Sequence, residues 1–484
     1  MPARTGQEYI DGLRNRDVEV FIHGERVKDV TTHPAFRNGI DTLAALYDMQ
    51  HETDGHDDMT YISPTTRHRV GTSFIKPETV RDLEKRRSMM STWARHTNGM
   101  MGRTPDYMNV SFMAMAAAHN YFEQSRSEFG HNIQRYYEYI RERDLVLTHT
   151  LLNFQRSRLP LATPLEDNTD TALSVIEERA DGVVVHGARI LATLGPLADE
   201  IAVYPTRSHS LPGGAPDHTV FAFAIPCETQ GIKFLCRESF DLGNSHFDHP
   251  LGSRFEEMDA VVIFDHVLVP WDRVFLLGDV ELANNLQIAT NRHLHTGHQV
   301  VTKNVSKCEF LLGLLSLMTD ALGSSKLPYV NQMVAEVIEN LEITKACLRA
   351  SEVDAKLDEW GVMAPAHFPL RVAQNQFIRM YPRMIEILQL TGSSSLMALP
   401  TEADMNGPLS PEIRRYLETD NASADERVRI FRLAWDTACS AFGSRQVLYE
   451  RFFQADFVRN AVILCDLYDK EPAMARVREF LEKD

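Results

Sequence analysis

The chain has 484 residues, about three domains' worth by the usual length prior. Its 44 % hydrophobic and 24 % charged residues are those of a globular protein with apolar side chains for a large core. A net charge of −17 argues against a nucleic-acid or anionic-membrane surface, because phosphates would be repelled and no basic tract offsets the excess.

The start, MPARTGQEYIDGL, lacks the apolar stretch of a secretory leader, and the apolar run Phe310–Met318 is too short to span a bilayer, so a cytoplasmic protein is expected. Cys227, Cys236, Cys308, Cys347, Cys439 and Cys465 form no CxxC pair, which fits reduced thiols and offers no zinc spacing.

Residues 1–145 read mainly as helix. Tyr9, Ile10 and Leu13 mark a short amphipathic segment, and helical spacing continues over Asp41–Met49, Pro77–Arg95 and the long stretch Val110–Glu142. Met108, Phe112, Met115, His119 and Phe122 recur at helical intervals and read as core. Before them lies Met101-Gly-Arg-Thr-Pro-Asp-Tyr107-Met-Asn109, where Pro105 stops one helix and leaves a rigid polar elbow. Arg103 and Tyr107 could there aim a guanidinium and a phenol at one small anion or phenolate. The competing reading is a plain helix corner with Arg103 paired to Asp106.

Around residue 146 the pattern changes. Leu173–Glu178 and Gly182–His186, joined by Ala180-Asp-Gly182, read as a hairpin, and Ile201–Tyr204, Val220–Ile225, Ile232–Cys236 and Ala260–Phe264 read as further strands. Ser239–Met258 is a long polar loop, and loops of that length usually carry function. From Asn284 helix returns: Gln299–Leu322, Asn331–Lys356, Arg371–Leu390 and Asp425–Phe453 have apolar stripes and suggest an up-and-down bundle.

Several sites are missing. There is no GxGxxG, GxxxxGK[ST], GxSxG or HExxH, so a flavin could bind only in a cleft between the β unit and the bundle. His293, His295 and His298 have no carboxylate within their string, so no metal is expected. His149 stands where helix gives way to strand, as a buried core histidine or a ligand. Gln155-Arg156-Ser157-Arg158 could hold a pyrophosphate or cap a surface, and Ala192-Thr193 at a β-edge could face a flavin ring. Gly443-Ser444-Arg445-Gln446 interrupts a helical stretch, as a kink or as a close approach to a ligand.

Six strings in this order, RTGQEYIDGL, GERVKDVTTHPAFRN, MGRTPDYMN, DLVLTHTLLN, HPLGSRFEEMDAVVIFDHVLVPWDRVF and GSRQVLYERFF, resemble the oxygenase components of 4-hydroxyphenylacetate 3-monooxygenases, two-component flavin-dependent phenol hydroxylases. The resemblance runs from about Arg4 to the C terminus. It implies an acyl-CoA-dehydrogenase-like fold, mainly α with a central all-β domain. The expected parts are a helical N-terminal domain over 1–145, a β-barrel over 146–280 and a four-helix bundle domain over 281–484, assembled as a homotetramer. It also implies FAD, delivered as FADH2 by diffusion from a separate flavin reductase, and ortho-hydroxylation of a phenol to a catechol with O2.

Carried over by motif, Arg103, Tyr107 and His149 match the residues that hold and activate the phenolic end. Gln155, Arg156, Ser157, Arg158, Thr193, Gly443, Ser444, Arg445 and Gln446 match FAD-binding stretches, and Thr206 and Arg207 fall near the substrate-tail position. Relatives act on 4-hydroxyphenylacetate, tyrosine-derived or coumarate-like phenols and chlorophenols. A para-substituted phenol with an acidic tail is expected here, since Arg207 could receive a carboxylate. A 4-hydroxybutyryl-CoA-dehydratase type would need cluster cysteines, yet Met89–Gly102 has none and the first cysteine after His298 is Cys308. The RTPDY elbow speaks against an acyl-CoA dehydrogenase proper, and intact Arg103, Tyr107 and His149 speak against a non-catalytic scaffold.

Overall fold

The computed structural model describes residues 3–52, 58–154, 172–205, 217–241, 243, 245–454 and 457–483. Helix α1 (Gly6–Arg14) starts at a capping box in which Thr5 and Glu8 satisfy each other's backbone, and it buries Tyr9 and Leu13. Strands β1 (Glu19–Ile22) and β2 (Glu25–Val27) turn at His23-Gly24, both at positive φ, the conformation a two-residue hairpin requires. Then follow α2 (Arg37–Asp48), the ribbon β3 (Thr60–Ile62) with β4 (Arg69–Gly71), and α3 (Val80–His96), which opens on a second capping box at Thr79.

The expected single helix over Val110–Glu142 is three: α4 (Pro105–Ala117), α5 (His119–Glu123) and α6 (Ser127–Arg143). No Gly or Pro marks these breaks. Distant partners make them, since the Tyr121 hydroxyl donates to the Leu282 carbonyl at 2.6 Å and Ser125 Oγ to that of Leu277 at 3.3 Å. The stripe read as core is core at Met108, Phe112, Met115 and Phe122, while His119 is only half-buried.

The middle of the chain supplies β5 (Leu147–Thr150), β6 (Ser174–Glu178), β7 (Gly182–Thr193), β8 (Glu200–Val203), β9 (Phe221–Pro226), β10 (Ile232–Cys236), α7 (Gly252–Phe255), β11 (Asp259–Pro270) and β12 (Val274–Leu277). They form two sheets, one of six strands in the order β2-β1-β10-β11-β7-β6 and one of four in the order β12-β9-β8-β5. Strand β1 joins β10 in parallel, so the first 145 residues are not purely helical but lend two strands to the middle sheet. Strand β7 continues past His186, where the sequence reading ended. Gly187 sits at φ 127° because a Cβ there would press on the Ala172 carbonyl, and the ladder to β11 absorbs it with a bulge at Asp265–His266.

The C-terminal part begins with α8 (Val280–Ala289), α9 (Arg292–Ala321) and α10 (Pro328–Val353). After a small ribbon, β13 (Lys356–Leu357) with β14 (Met363–Ala364), comes α11 (His367–Gly392). Short α12 (Glu402–Met405) and α13 (Ser410–Leu417) lead to α14 (Ala424–Ala438), α15 (Ala441–Phe452), α16 (Phe457–Leu467) and α17 (Glu471–Leu481). Leu311, Leu315, Met318, Phe377, Tyr381, Ile385 and Phe431 form the bundle core, while a larger cluster unites the N-terminal helices with both sheets. The order helical, β, helical bundle is the acyl-CoA-dehydrogenase-like one that the resemblance implied. Among the described residues no helix is long and apolar enough to cross a membrane.

Candidate functional site

The elbow stands where the three parts meet. Thr104 is the N-cap of α4 and Pro105 its first residue, so the proline opens a helix instead of only ending one. Gly102 passes against the Tyr449 hydroxyl from α15, and a Cβ there would collide with it. Arg103 is not paired with Asp106. Asp106 Oδ2 accepts from Gln299 Nε2 at 3.1 Å, while the Arg103 backbone N–H donates to Glu257 Oε1 at 2.7 Å. The Arg103 guanidinium lies 4.2 Å from the Tyr107 ring centroid, 5.1 Å from Phe453 and 5.5 Å from Tyr449. Its Nη1 is buried and has no hydrogen-bond partner.

Tyr107 projects one turn into α4, and His149 comes from β5, an edge strand paired in parallel with β8. The two rings stack at 5.7 Å and 25°. His149 is 9 % exposed, and burial, followed by the nearby Arg103 and Arg292 charges, pushes its pKa well below the ordinary histidine value. The imidazole is therefore neutral at pH 7, able to accept a hydrogen bond but disfavoured from holding a proton. Behind it, Tyr204 follows β8, with its ring 6.2 Å from His149. Arg292, the first residue of α9, lies 4.5 Å over the Tyr204 ring and donates through Nε to Ser111 Oγ of α4. So the sequence-derived trio Arg103, Tyr107 and His149 comes together from two distant segments, and Tyr204, Arg292 and Ser111 form a layer behind it that sequence reading did not single out.

The expected cofactor residues divide. Gln155, Arg156, Ser157 and Arg158 lie outside the described residues, as do Thr206 and Arg207. Thr193 ends β7, its carbonyl accepting from Thr148 Oγ1 at 2.6 Å and its hydroxyl donating to Asp259 Oδ1 at 2.7 Å. Arg445 grips Asp259 with Nε and Nη2 at 3.0 and 2.8 Å and Glu257 with Nη1 at 2.7 Å. Although burial alone would raise the Asp259 carboxyl, Arg445 and Arg237 hold it well below the usual range. Gln446 bridges Lys307 and the Met100 carbonyl, both at 2.9 Å, which ties α15 to the segment before the elbow. The helix break is not at Gly443-Ser444 but at Cys439-Ser440, with Ser440 capping α15. Gly443 sits in the first turn because a Cβ would meet the Thr437 carbonyl. Glu256 and Glu257 stand at the end of the long polar loop, and the length of that loop is the sequence signal that points to them.

The HLHTGH imidazoles part company. His295 meets Arg86 at 3.2 Å, His298 meets Glu352 at 2.8 Å and His293 meets His367 at 3.2 Å. Among the described residues, one other group could converge on a cation, His186, Asp265 and His266 at the exposed β7–β11 bulge. There the Lys233 ammonium is 3.0 Å from Asp265 Oδ2.

Several buried polar atoms have no hydrogen-bond partner: Arg103 Nη1, Thr150 Oγ1, Asn153 Oδ1 and Tyr449 Oη. The first and last belong to side chains at the elbow, and the other two stand just past His149 on the chain. Donors and acceptors beside stacked rings suit a flat aromatic ligand with a polar edge, which both a phenol and a flavin ring are.

Comparison with known proteins agrees with this chemistry. Residues 5–276 match the 4-hydroxyphenylacetate 3-hydroxylase N-terminal family and residues 283–482 its C-terminal counterpart. The chain is 46 % identical over 482 residues to the 4-hydroxyphenylacetate 3-monooxygenase oxygenase component of Geobacillus sp. (strain PA-9), covering 99 % of this chain and 97 % of that one. Identity to the Thermus thermophilus protein of the same name is 44 %, over 99 % and 98 %. A crystal structure of such an oxygenase component complexed with FAD and 4-hydroxyphenylacetate superimposes with a TM-score of 0.93 at 44 % identity, over 99 % and 98 % of the two chains.

Proposed function

The chain belongs to the 4-hydroxyphenylacetate 3-hydroxylase family, and on that premise we propose that it is the oxygenase component of a two-component monooxygenase, converting a para-substituted phenol such as 4-hydroxyphenylacetate to a catechol with FADH2 and O2. The observation that carries this is the convergence of a buried guanidinium with a free N–H, a phenol and a neutral imidazole on one small region.

Reduced FAD, when bound, would supply the two electrons that activate O2, one oxygen atom of which enters the phenol while the other leaves as water. The chain supplies the ionisation state of the substrate. A phenol titrates near pH 10, so leaving it as phenolate at pH 7 asks the site for roughly 4 kcal/mol. Arg103 stabilises the anion by charge and Tyr107 by hydrogen bond, while His149 accepts a hydrogen bond from the phenol and relays its proton onward, since burial and two neighbouring cations disfavour its keeping one. The ortho carbon of the phenolate is then the nucleophile. Phe453 and Tyr449, with the Arg103–Tyr107 stack, wall the guanidinium from water.

Thr193, Gly443, Ser444, Arg445 and Gln446 would border the flavin at the seam between β7 and α15. Gln155, Arg156, Ser157 and Arg158 would add its phosphate contacts, and Thr206 and Arg207 would flank the substrate's tail. Arg445 shapes the seam through its clasp on Asp259 and Glu257. FADH2 arrives by diffusion from a separate reductase, and the unpaired state of all six cysteines suits a reducing cytoplasm. In the homotetramer we propose, exposed Phe457, Val462, Met474, Val477 and Phe480 on the last two helices would offer an apolar surface for association. Truncation before Phe457 should lower the mass found by light scattering, and an unchanged tetramer would remove those helices from the interface.

The test of function is to mix the protein with photoreduced FAD and then with oxygenated buffer containing 4-hydroxyphenylacetate. A catechol formed in proportion to enzyme-bound FADH2 is expected. No catechol from this or any related phenol would refute the oxygenase reading.

A further inference from the structure

The ladder between β7 and β11 carries a group of side chains that the proposed hydroxylation does not use. Phe264 opposes Gly187 and Val267 opposes Val185, so Asp265 and His266 together face the single residue His186. In a regular ladder consecutive side chains leave on opposite faces, and a bulge re-aims them. His266 takes φ 55° to do so, in the left-handed region that few residues other than glycine enter. Asp265 is fixed from the neighbouring turn, its N–H donating to the Gly231 carbonyl at 2.9 Å.

The bulge brings three ligand atoms, one from each side chain, within 4.8 Å of one another. Asp265 Oδ1 is 3.0 Å from His266 Nδ1 and 3.8 Å from His186 Nδ1, and the two imidazole centroids are 4.4 Å apart. Around a tetrahedral zinc with bonds of about 2.0–2.1 Å, ligand atoms stand about 3.3 Å apart, between those two spacings. Lys233 holds the other carboxylate oxygen, Oδ2, at 3.0 Å, which leaves Oδ1 turned to the imidazoles. His186 Nδ1 is closed off from solvent and has no hydrogen-bond partner. A plain surface ion pair of Asp265 with Lys233 would need neither histidine. Two imidazoles and one carboxylate suit a borderline ion such as zinc, whereas magnesium and calcium favour oxygen ligands.

We propose that His186, Asp265 and His266 form a zinc site that staples β7 to β11 at the bulge, with water in the fourth position. His186 and Thr193 are seven positions apart on β7, about 23 Å of strand, so the ion would fasten the ladder without reaching the seam at Thr193. The site is independent of the proposed hydroxylation.

The full chain without an affinity tag, stripped with EDTA and kept reduced, would be titrated with zinc against a fluorescent zinc indicator, and in parallel with cobalt followed by absorption. One equivalent per chain is expected, undisturbed by millimolar magnesium. His186→Gln, Asp265→Asn and His266→Asn should each weaken zinc binding at least about tenfold. Asparagine tolerates the left-handed backbone at position 266, so that variant keeps the bulge, and His186→Gln changes only the regular strand opposite. Zinc should raise the unfolding temperature of the parent and not of the variants. Zinc affinity unchanged in all three variants, or less than one equivalent bound, would mean scattered surface histidines and overturn the proposal. An intense near-ultraviolet charge-transfer band from bound cobalt would place the ion on cysteine thiolates and overturn it too.

Discussion

Replacing Arg103 by Met removes the one charge that directly faces the phenolic oxygen in the proposed complex. The guanidinium is buried, its Nη1 is unpaired, and among the described residues no carboxylate side chain is bonded to it, so its field is available to a ligand. At an effective dielectric constant of 20, a unit charge 4 Å away is worth about 4 kcal/mol, close to the whole cost of ionising a phenol at pH 7. Tyr107 and His149 remain in the variant, so the expected loss is smaller, about 10²- to 10³-fold in kcat/KM, the scale of losing one oxyanion donor. The assay is catechol formation from 4-hydroxyphenylacetate at saturating FADH2, measured from pH 6 to 10. The parent rate should be nearly level. The variant rate should climb about tenfold per pH unit until the free phenol ionises near pH 10, because the solvent must then do what Arg103 did. Binding of FADH2 should survive. A loss under fivefold, or a variant as insensitive to pH as its parent, would show that Arg103 does not set the ionisation of the substrate.

Arg445→Met should destabilise the chain by about 3–5 kcal/mol in denaturant unfolding at pH 7, since buried Glu257 loses its cation and Asp259 keeps only Arg237. The Asp259 carboxyl is held low in the fold, so its contribution is present above its unfolded pKa of about 4 and is lost as pH falls through the folded value. Parent and variant should therefore converge in acid, and a gap that stays constant with pH would count against the clasp. Arg292→Met takes one cation from beside His149, so the imidazole pKa, followed by ring-proton NMR, should move upward toward the ordinary value, and a downward or absent shift would place Arg292 outside its field. Gly102→Ala should force the elbow off the Tyr449 hydroxyl and cost about 1–3 kcal/mol together with hydroxylation, whereas an unaffected enzyme would mean that the elbow moves freely.

The sequence by itself determined much of the framework and the identity of the reacting groups. Apolar stripes at helical spacing located α9, α10 and α11, and Pro105 with Arg103 and Tyr107 exposed the elbow. Each of these signals acts within a few residues along the chain, which is why it is legible there. Tertiary structure decided the rest. Strand β1 joins the middle sheet through Phe234 and its neighbours, more than two hundred residues away, and β7 continues through Gly187 because the ladder with β11 tolerates a bulge. Arg445 clasps Asp259 across 186 positions, and Arg103 leaves Asp106 for the Glu257 carboxylate 154 positions on. Burial and pairing are properties of distant chain segments brought together, so the field around His149 could be read only after the chain had closed on itself.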